Sequence, residues 1–315
     1  MERKREMARA GGFTLIEMVV VLLILSLLTH LAVRELGRGA EAKMRRQADR
    51  QLEELQGAVW RMPPGAAPEG FLADMGRLPR ATASTNEYGR EVLSLSELWK
   101  MPDDARPFAL RRAVSSNLVV SASVSNVLAD DTVVVPCGWR GPYLHMPFGG
   151  DRLLDVWGNP FETLDDAGFA RLLAEDGSPV ARGAPVAKAR HLGADARPDG
   201  DVTPGKDADR DGEARLAPSG GGGALAVTAN FMNSAGPAAV SGEVRCRWYM
   251  PCGGAITGAV ESVSLSGGTY ASFAFEGMSP GTCVVAVDVG GEPRARRSVV
   301  VPPGGTAVDM KVYLP

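Results

Sequence analysis

The chain has 315 residues, of which 45% are hydrophobic and 23% are charged, a balance that predicts a folded protein of roughly two domains. Aromatic residues are scarce at 6%, whereas 38 glycines and 22 prolines are present, which favours loops and short strands over a large helical bundle. The formal net charge of −3 argues against a nucleic-acid-binding protein, because such a protein normally presents a basic face.

The N-terminus consists of a basic leader and an apolar run. The run from Phe13 to Val33 is apolar or hydroxylic apart from Glu17 and His30, and Arg34-Glu35 follow it. Its length suits a membrane-spanning helix, and the positive charge before it predicts a cytoplasmic N-terminus with the rest of the chain outside. A cleaved secretory signal would have a shorter core and a small-residue cleavage site after it. An ordinary signal anchor fits the length and charge but leaves Glu17 unexplained, since an acid within a bilayer is costly.

Residues 11–17 read Gly-Gly-Phe-Thr-Leu-Ile-Glu, which resembles the prepilin-type signal of type IV pilins and type II secretion pseudopilins. The resemblance implies that a prepilin peptidase cleaves after Gly12 and methylates the new N-terminus at Phe13. It also implies that Glu17 neutralises the Phe13 ammonium of a neighbouring subunit during assembly, and breaking such a buried pair costs several kcal/mol. A snorkelling acid near the membrane interface is the alternative interpretation.

The apolar run is expected to continue as an amphipathic helix. Apolar residues recur at spacings of three and four as far as Met62, which predicts one long helix from Phe13 to about Trp60. The apolar face consists of Leu36, Ala40, Met44, Ala48, Leu52, Leu55, Val59 and Met62. Pro63-Pro64-Gly65 is expected to end the helix.

The region after the helix is expected to form a small head. Residues 94–101 predict a helical turn, and residues 117–124 and 132–135 predict strands. Residues 138–144 read Gly-Trp-Arg-Gly-Pro-Tyr-Leu, and residues 154–161 read Leu-Asp-Val-Trp-Gly-Asn-Pro-Phe. These two blocks resemble turn blocks of the type II secretion major pseudopilin. Their aromatic residues are expected in the head core, with sugar binding as the less favoured alternative.

An acidic stretch follows the two turn blocks. Residues 191–195 read His-Leu-Gly-Ala-Asp and residues 207–212 read Asp-Ala-Asp-Arg-Asp-Gly, which is similar to the calcium loop of the major pseudopilin. The resemblance implies as ligands Asp195, Asp207, Asp209 and a backbone carbonyl near Leu192. Such oxygen donors suit Ca²⁺, but a complete EF-hand is excluded because Pro218 stands at its twelfth position. A solvated acidic loop without a metal is the alternative.

The C-terminal part has a different pattern. Residues 219–223 read Ser-Gly-Gly-Gly-Gly, typical of a flexible linker. Alternating segments then predict seven strands and a β-sandwich, at residues 224–230, 242–248, 255–265, 271–275, 283–289, 297–301 and 307–314. The block at residues 270–283 resembles carboxypeptidase regulatory-like domains, which are transthyretin-like sandwiches, and implies a binding or spacing module.

The four cysteines are Cys137, Cys246, Cys252 and Cys283. If the globular part is exported, pairing is possible with three connectivities, and Cys246 and Cys252 are close enough in sequence to close a small loop. Buried free thiols are the alternative. The three histidines lack metal-ligand spacing, so a zinc site is not expected.

The expected fold class is α+β. A long pilin-type helix packs on a small β-sheet head, and an all-β transthyretin- or immunoglobulin-like sandwich follows. The expected domains are a leader (1–12), the helix (13–62), the head (63–218), a linker (219–223) and the sandwich (224–315).

The function favoured by these features is that of a structural pseudopilin with no enzymatic activity. We expect a single-pass protein of the bacterial inner membrane, with a periplasmic head, that assembles into a type II secretion pseudopilus. The expected partners are the prepilin peptidase, an inner-membrane assembly platform, other pseudopilins and further copies of this chain. A minor type IV pilin, or a membrane-tethered enzyme or binding protein with a borrowed anchor, are the alternatives.

Overall fold

The computed structural model describes residues 15–85, 91–119, 129–146, 152–161, 171–193, 212–218 and 222–315. The chain divides into two compact units, the first ending at Gln47 and the second running from Ala48 to Pro315. Within the second unit we call the described residues between 48 and 218 the head, and residues 222–315 the sandwich.

Helix α1 runs from Leu15 to Val59, which confirms the predicted long helix over its described part. Its first 18 residues, Leu15–Ala32, have a mean hydropathy of 2.4 and are exposed along their whole length. Farther along, burial follows the predicted helical spacing, because Ala48, Leu52, Leu55 and Val59 are all buried in the second unit. Met62 lies beyond the end of the helix and is exposed, so the apolar face ends at Val59.

The head contains a short helix, a 3₁₀ turn and seven short strands among its described residues. The elements are α2 (Phe71–Met75), β1 (Thr82–Thr85), β2 (Glu91–Ser94), the 3₁₀ turn Ser96–Leu98, β3 (Ala109–Ala113), β4 (Asp130–Cys137), β5 (Leu172–Leu173), β6 (Lys188–His191) and β7 (Gly212–Arg215). The pairs β1–β2 and β3–β4 each form a two-stranded sheet, and β5-β6-β7 form a three-stranded sheet. A core from α1, α2, the loops and the sheet β5-β6-β7 is centred on Leu55, Phe71, Met75, Leu98 and Leu172, and the pair β3–β4 belongs to a separate cluster.

Two of the three predicted head elements are confirmed. The helical turn appears as Ser96–Leu98, and the strand predicted at 132–135 lies within β4. The strand predicted at 117–124 is not seen as such: Asn117 ends a turn, and Leu118 makes a single parallel bridge to Ile256. Its residues from 120 onward lie outside the described part of the chain.

The sandwich contains all seven predicted strands and one further short strand. They are β8 (Gly223–Asn233), β9 (Gly236–Pro237), β10 (Val240–Cys252), β11 (Ala255–Gly268), β12 (Tyr270–Met278), β13 (Gly281–Val289), β14 (Glu292–Val301) and β15 (Thr306–Tyr313). One sheet has the order β11-β10-β13-β14, and the other has the order β12-β8-β15. All pairs are antiparallel except β15 with β8, which is parallel. The two inner faces enclose a core of alternating side chains such as Val227, Phe231, Val244 and Val285.

The sandwich packs tightly on the head, although a glycine-rich stretch precedes it. The hairpin β3–β4 covers the outer face of the sheet containing β10 and β13, and a buried cluster forms there from both parts: Ala113, Val133, Val135, Cys137, Tyr249, Ile256, Val284 and Ala286. Backbone contacts add to it, because the Gly253 amide donates to the Met75 carbonyl at 2.7 Å and the Val119 amide donates to the Ile256 carbonyl at 2.8 Å. The middle of the four-stranded sheet, at β10 and β13, is therefore buried on both faces.

The proposed loop between Cys246 and Cys252 is wrong. Both residues lie on strand β10, six positions apart, so at about 3.3 Å per residue their Cα atoms are roughly 20 Å apart. A disulfide requires Cα atoms within about 7 Å. All four cysteines are free thiols, and Cys137, Cys246 and Cys283 are buried.

Candidate functional site

The first candidate site is the exposed start of α1. Glu17 lies in the first turn of the helix, among side chains that are exposed, such as Leu15, Ile16 and Met18. The 18 residues of the apolar segment span about 27 Å at 1.5 Å per residue, close to the thickness of a bilayer's hydrocarbon core. Polar groups in the segment have local partners, since the Thr29 hydroxyl donates to the Leu25 carbonyl at 2.7 Å. The segment therefore has the length and surface of a membrane anchor.

The predicted processing site cannot be placed beside Glu17. Gly12 and Phe13 lie outside the described residues, so their geometry relative to the helix is not part of this structure. The roles of Gly12 and Phe13 in cleavage and methylation, and of Glu17 in assembly, stay predictions.

The first aromatic turn block is built into the head core, as predicted. The Trp139 indole N–H donates to the Glu97 carbonyl at 2.9 Å, and the Tyr143 hydroxyl donates to Asp74 Oδ2 at 3.0 Å. The rings of Phe71 and Tyr143 meet edge to face at 5.6 Å. Gly141 is required here because an added Cβ would lie 2.6 Å from the Trp139 ring. With their polar atoms bonded inside the head, these aromatic residues act as core rather than as a sugar platform.

Asp74 connects this block to α2. Burial raises the pKa of the Asp74 carboxyl, and Arg140 and the Tyr143 hydroxyl lower it again without cancelling the effect of burial. Arg140 Nη2 lies 3.0 Å from Asp74 Oδ1 and is itself exposed, so this ion pair closes the edge of the core.

The second turn block is held by a buried ion pair that the sequence did not reveal. Asp155 Oδ1 accepts the backbone N–H groups of Trp157 at 3.0 Å and Asn159 at 2.7 Å, which fixes the turn. Its other oxygen, Oδ2, lies 2.9 Å from Arg171 Nη1, and the two side chains are only 0% and 3% exposed. No local pattern could have named Arg171, because its partner lies 16 residues earlier in the chain.

The predicted calcium ligands are mostly outside the described residues. Asp195, Asp207 and Asp209 belong to the stretch 194–211, and only Leu192, which is buried, is described. The strands on either side bring the ends of this stretch together, since His191 of β6 is the register partner of Gly212 of β7. Among the described residues no group of three or more acidic, histidine or cysteine side chains could hold a metal ion.

A second buried ionic cluster joins the head to the sandwich, and sequence reasoning missed it. Arg247 Nη2 on β10 lies 2.6 Å from Asp288 Oδ1 on β13 and 2.9 Å from Asp130 Oδ2 on β4 of the head. All three side chains are less than a tenth exposed. Arg247 Nη1 also donates to the Tyr249 hydroxyl at 3.2 Å. The sequence held no clear signal for this cluster, because Arg247 shares its predicted strand with Glu243 and Arg245.

The Asp130 carboxyl group is held in its charged form beside Arg247. Burial raises the pKa of the Asp130 carboxyl, but hydrogen bonds from the Thr132 hydroxyl and amide, together with Arg247 and Arg296, hold it below its ordinary value. Arg296 of β14 also donates to the Thr132 hydroxyl oxygen at 2.6 Å. The carboxylate is therefore kept charged at the junction of the head with the sandwich.

Comparison with known proteins bears on the N-terminal segment. The family described as the prokaryotic N-terminal methylation motif matches residues 7–33. A search of curated proteins found no match. The matched segment includes Gly12 and Phe13 of the predicted cleavage site, Glu17 and the apolar part of α1. It supports a protein of the type IV pilin or pseudopilin class that a prepilin peptidase processes. The apolar helix fits the single-pass membrane anchor of such a protein.

Proposed function

We propose that the chain is a structural pseudopilin, processed by prepilin peptidase and assembled into a periplasmic type II secretion pseudopilus. The observation that carries the proposal is the methylation motif at residues 7–33, which runs directly into an exposed apolar helix with Glu17 in its first turn. The processed subunit would remain in the inner membrane by this helix, with its N-terminus cytoplasmic and its head periplasmic, until the assembly platform extracts it.

The physical role proposed for Glu17 is to select the register of assembly. A carboxylate within hydrocarbon is unfavourable by a few kcal/mol, so it gains most by meeting a positive charge at the same depth. The ammonium of a neighbouring Phe13, created by cleavage after Gly12, supplies that charge. A subunit shifted along the filament would separate these two charges, and breaking such a buried pair costs several kcal/mol.

A minor pilin of a type IV pilus is the second candidate, because it shares the anchor and the polymerisation chemistry. The two aromatic turn blocks support the secretion pseudopilus, since they resemble those of the major pseudopilin and pack in the head as a structural core. The sandwich, fixed to the head, supports a subunit present in few copies, because it adds bulk that every neighbour in a filament must accommodate. Deletion of the gene distinguishes the two: loss of exported enzymes from the medium supports secretion, and loss of surface fibres alone supports a pilus.

The assembly role is tested by Glu17→Ala and Glu17→Gln, with Thr29→Val as the control for a polar change in the same helix. We expect both Glu17 variants to be inserted and cleaved but to form no filament, whereas Thr29→Val assembles normally. Unchanged assembly and secretion in Glu17→Gln would overturn the proposal, because that variant keeps the shape and removes only the charge. Mass spectrometry of the mature protein should find a methylated Phe13 as its first residue.

We further propose a Ca²⁺ ion in the stretch between β6 and β7. Carboxylates at Asp195, Asp207 and Asp209 and a carbonyl near Leu192 are hard oxygen donors of the kind Ca²⁺ prefers. The pairing of His191 with Gly212 supports the proposal by holding the two ends of the stretch together. The full-length protein in detergent should melt at a higher temperature in Ca²⁺ than in chelator. Asp207→Asn should abolish this difference in melting temperature, whereas Asp103→Asn, which changes an exposed acid elsewhere, should preserve it. Equal melting temperatures of the unaltered protein in both buffers would overturn the proposed calcium site.

A further inference from the structure

The outer face of the sheet β12-β8-β15, called the free face below, presents a row of exposed or half-buried side chains on each strand in the described part of the chain. Side chains alternate on these strands, so that Val227, Phe273 and Met310 point into the core and their neighbours point outward. The opposite sheet is covered by the head hairpin β3–β4. The free face is therefore backed by a doubly packed sandwich, which holds its side chains in fixed positions.

Two tyrosines stand at one end of this face. Tyr270 is 60% exposed and Tyr313 is 63% exposed, and they are the exposed aromatic residues of the described part of the chain. Tyr270 is the register partner of Asn230, and Tyr313 is the partner of Met232 two residues farther along β8. The two tyrosines are separated by two inter-strand spacings across the sheet and by two residues along the strands, so their Cα atoms are about 12 Å apart.

Polar side chains lie beside the two rings, and the half-buried Met232 of β8 lies next to Tyr313. Asn230 on β8 is flanked by Tyr270 on one side and Lys311 on the other, and the next row contains Ser272, Thr228 and Asp309. The side chains of Asn230, Lys311 and Ser272 make no hydrogen bond or ion pair to any described residue, so their donors and acceptors face solvent. The face has one lysine, Lys311, and two acids, Asp309 and the exposed Glu276, which gives a small formal net charge of −1.

This combination fits a carbohydrate better than a protein. A pyranose ring offers an apolar C–H face, which stacks on an aromatic ring, and a rim of hydroxyl groups, which pair with amides, hydroxyls and carboxylates. The small net charge suits a ligand without a charge of its own. A protein partner needs a central apolar anchor surrounded by a polar rim, whereas here the rings stand at one end and the centre is polar.

We propose that the outer face of β12-β8-β15 binds a neutral polysaccharide of pyranose rings, with Tyr270 and Tyr313 stacking on two rings of one chain and with Asn230, Lys311 and, in the adjacent row, Asp309 bonding its hydroxyls. The site is independent of the assembly role of α1. It gives the sandwich a ligand outside the filament.

The test is sedimentation of the full-length protein in detergent with insoluble cellulose or chitin, which are neutral pyranose polymers. Titration with soluble oligosaccharides of the glycan that retains the protein follows. We expect retention by at least one of these. The double variant Tyr270→Ala/Tyr313→Ala should bind about tenfold more weakly or worse, as expected for loss of two aromatic anchors. The double variant Tyr270→Phe/Tyr313→Phe should retain most of the binding, because it keeps both stacking rings.

Leu110→Ala is the matched control, since Leu110 is 72% exposed on β3 of the head. It should bind as the unaltered protein does. Failure of the unaltered protein to bind any of the glycans, or equal binding by the double alanine variant, would overturn the proposal. An effect of the tyrosine variants on self-association alone, measured by light scattering without glycan, would also overturn it and identify the face as a contact between copies. Filament assembly measured in parallel should be unchanged, which separates this result from the test of Glu17.

Discussion

Arg247→Met should destabilise the whole second unit, because it removes the one cation shared by Asp130 and Asp288. These carboxylates lie 2.9 and 2.6 Å from its guanidinium, and all three side chains are less than a tenth exposed. Removal of one partner from a buried ion pair costs about 3–5 kcal/mol, since the remaining charge stays buried without compensation. For a unit of this size, that corresponds to a fall in melting temperature on the order of 10 °C.

The matched control is Arg182→Met. Arg182 lies 3.4 Å from Glu91, but these two side chains are 72% and 61% exposed, so the loss should be at most about 1 kcal/mol. A second comparison separates charge from packing: the triple variant Asp130→Asn/Arg247→Met/Asp288→Asn should be more stable than Arg247→Met alone, because no buried charge is left unpaired.

The assay is urea unfolding of the full-length protein in detergent, followed by tryptophan fluorescence. Trp99 and Trp139 report on the head and Trp248 reports on the sandwich. One shared transition, shifted together at all reporters by Arg247→Met, is the expected result. An Arg247→Met cost no greater than that of Arg182→Met, or separate head and sandwich transitions in the unaltered protein, would refute the reasoning.

Three further predictions concern pH, packing and thiols. The folded pKa of Asp130 is below its ordinary value, so its contribution to stability is present above the unfolded pKa of about 4 and is lost as the pH falls through the folded pKa. Asp130→Asn should therefore flatten the acid side of a plot of melting temperature against pH. An unchanged acid side would contradict this. Gly141→Ala should lower the free energy of unfolding in urea by about 1–3 kcal/mol, because the added Cβ would lie 2.6 Å from the Trp139 ring. The control Gly57→Ala in α1 adds a Cβ with nothing within 4 Å and should be neutral or stabilising. Burial raises the pKa of Cys137 to about 11 and those of Cys246 and Cys283 to about 12. Alkylation of the native protein, followed by mass spectrometry, should therefore label the partly exposed Cys252 first. Equal labelling of all four cysteines would contradict the packing described.

The helices and strands that have a periodic pattern of apolar residues could be predicted from the sequence. Helix α1 follows from apolar spacings of three and four, and the seven sandwich strands follow from alternation between turns, because each pattern depends only on neighbouring residues. The strands are longer than predicted: β10 begins at Val240 and β11 ends at Gly268, since hydrogen bonding to a neighbour continues past the alternating segment.

The pairings between distant residues could not be predicted. Asp130, Arg247 and Asp288 come from three strands that meet only in the folded state, and nothing in their flanking residues distinguishes them from exposed charges. The same holds for the packing of β3–β4 on the sandwich, where the glycine-rich stretch pointed to a separate module. For the predicted assembly site, the methylation motif is more informative than the structure, because the motif includes Gly12 and Phe13, which lie outside the described residues.

The parallel pairing of β15 with β8 sets an order of events in biogenesis. The first strand of the sandwich has no complete sheet until Thr306–Tyr313 has reached the same compartment and docked beside it. The head hairpin β3–β4 in turn needs β10 and β13 to bury its apolar face. Contacts of such long sequence separation form late. For a subunit exported as proposed, a head whose downstream strands were still crossing the membrane would therefore expose that hairpin. Completion of export and completion of the head would then be one event, and a partly exported subunit would lack the folded surface that the proposed filament accepts.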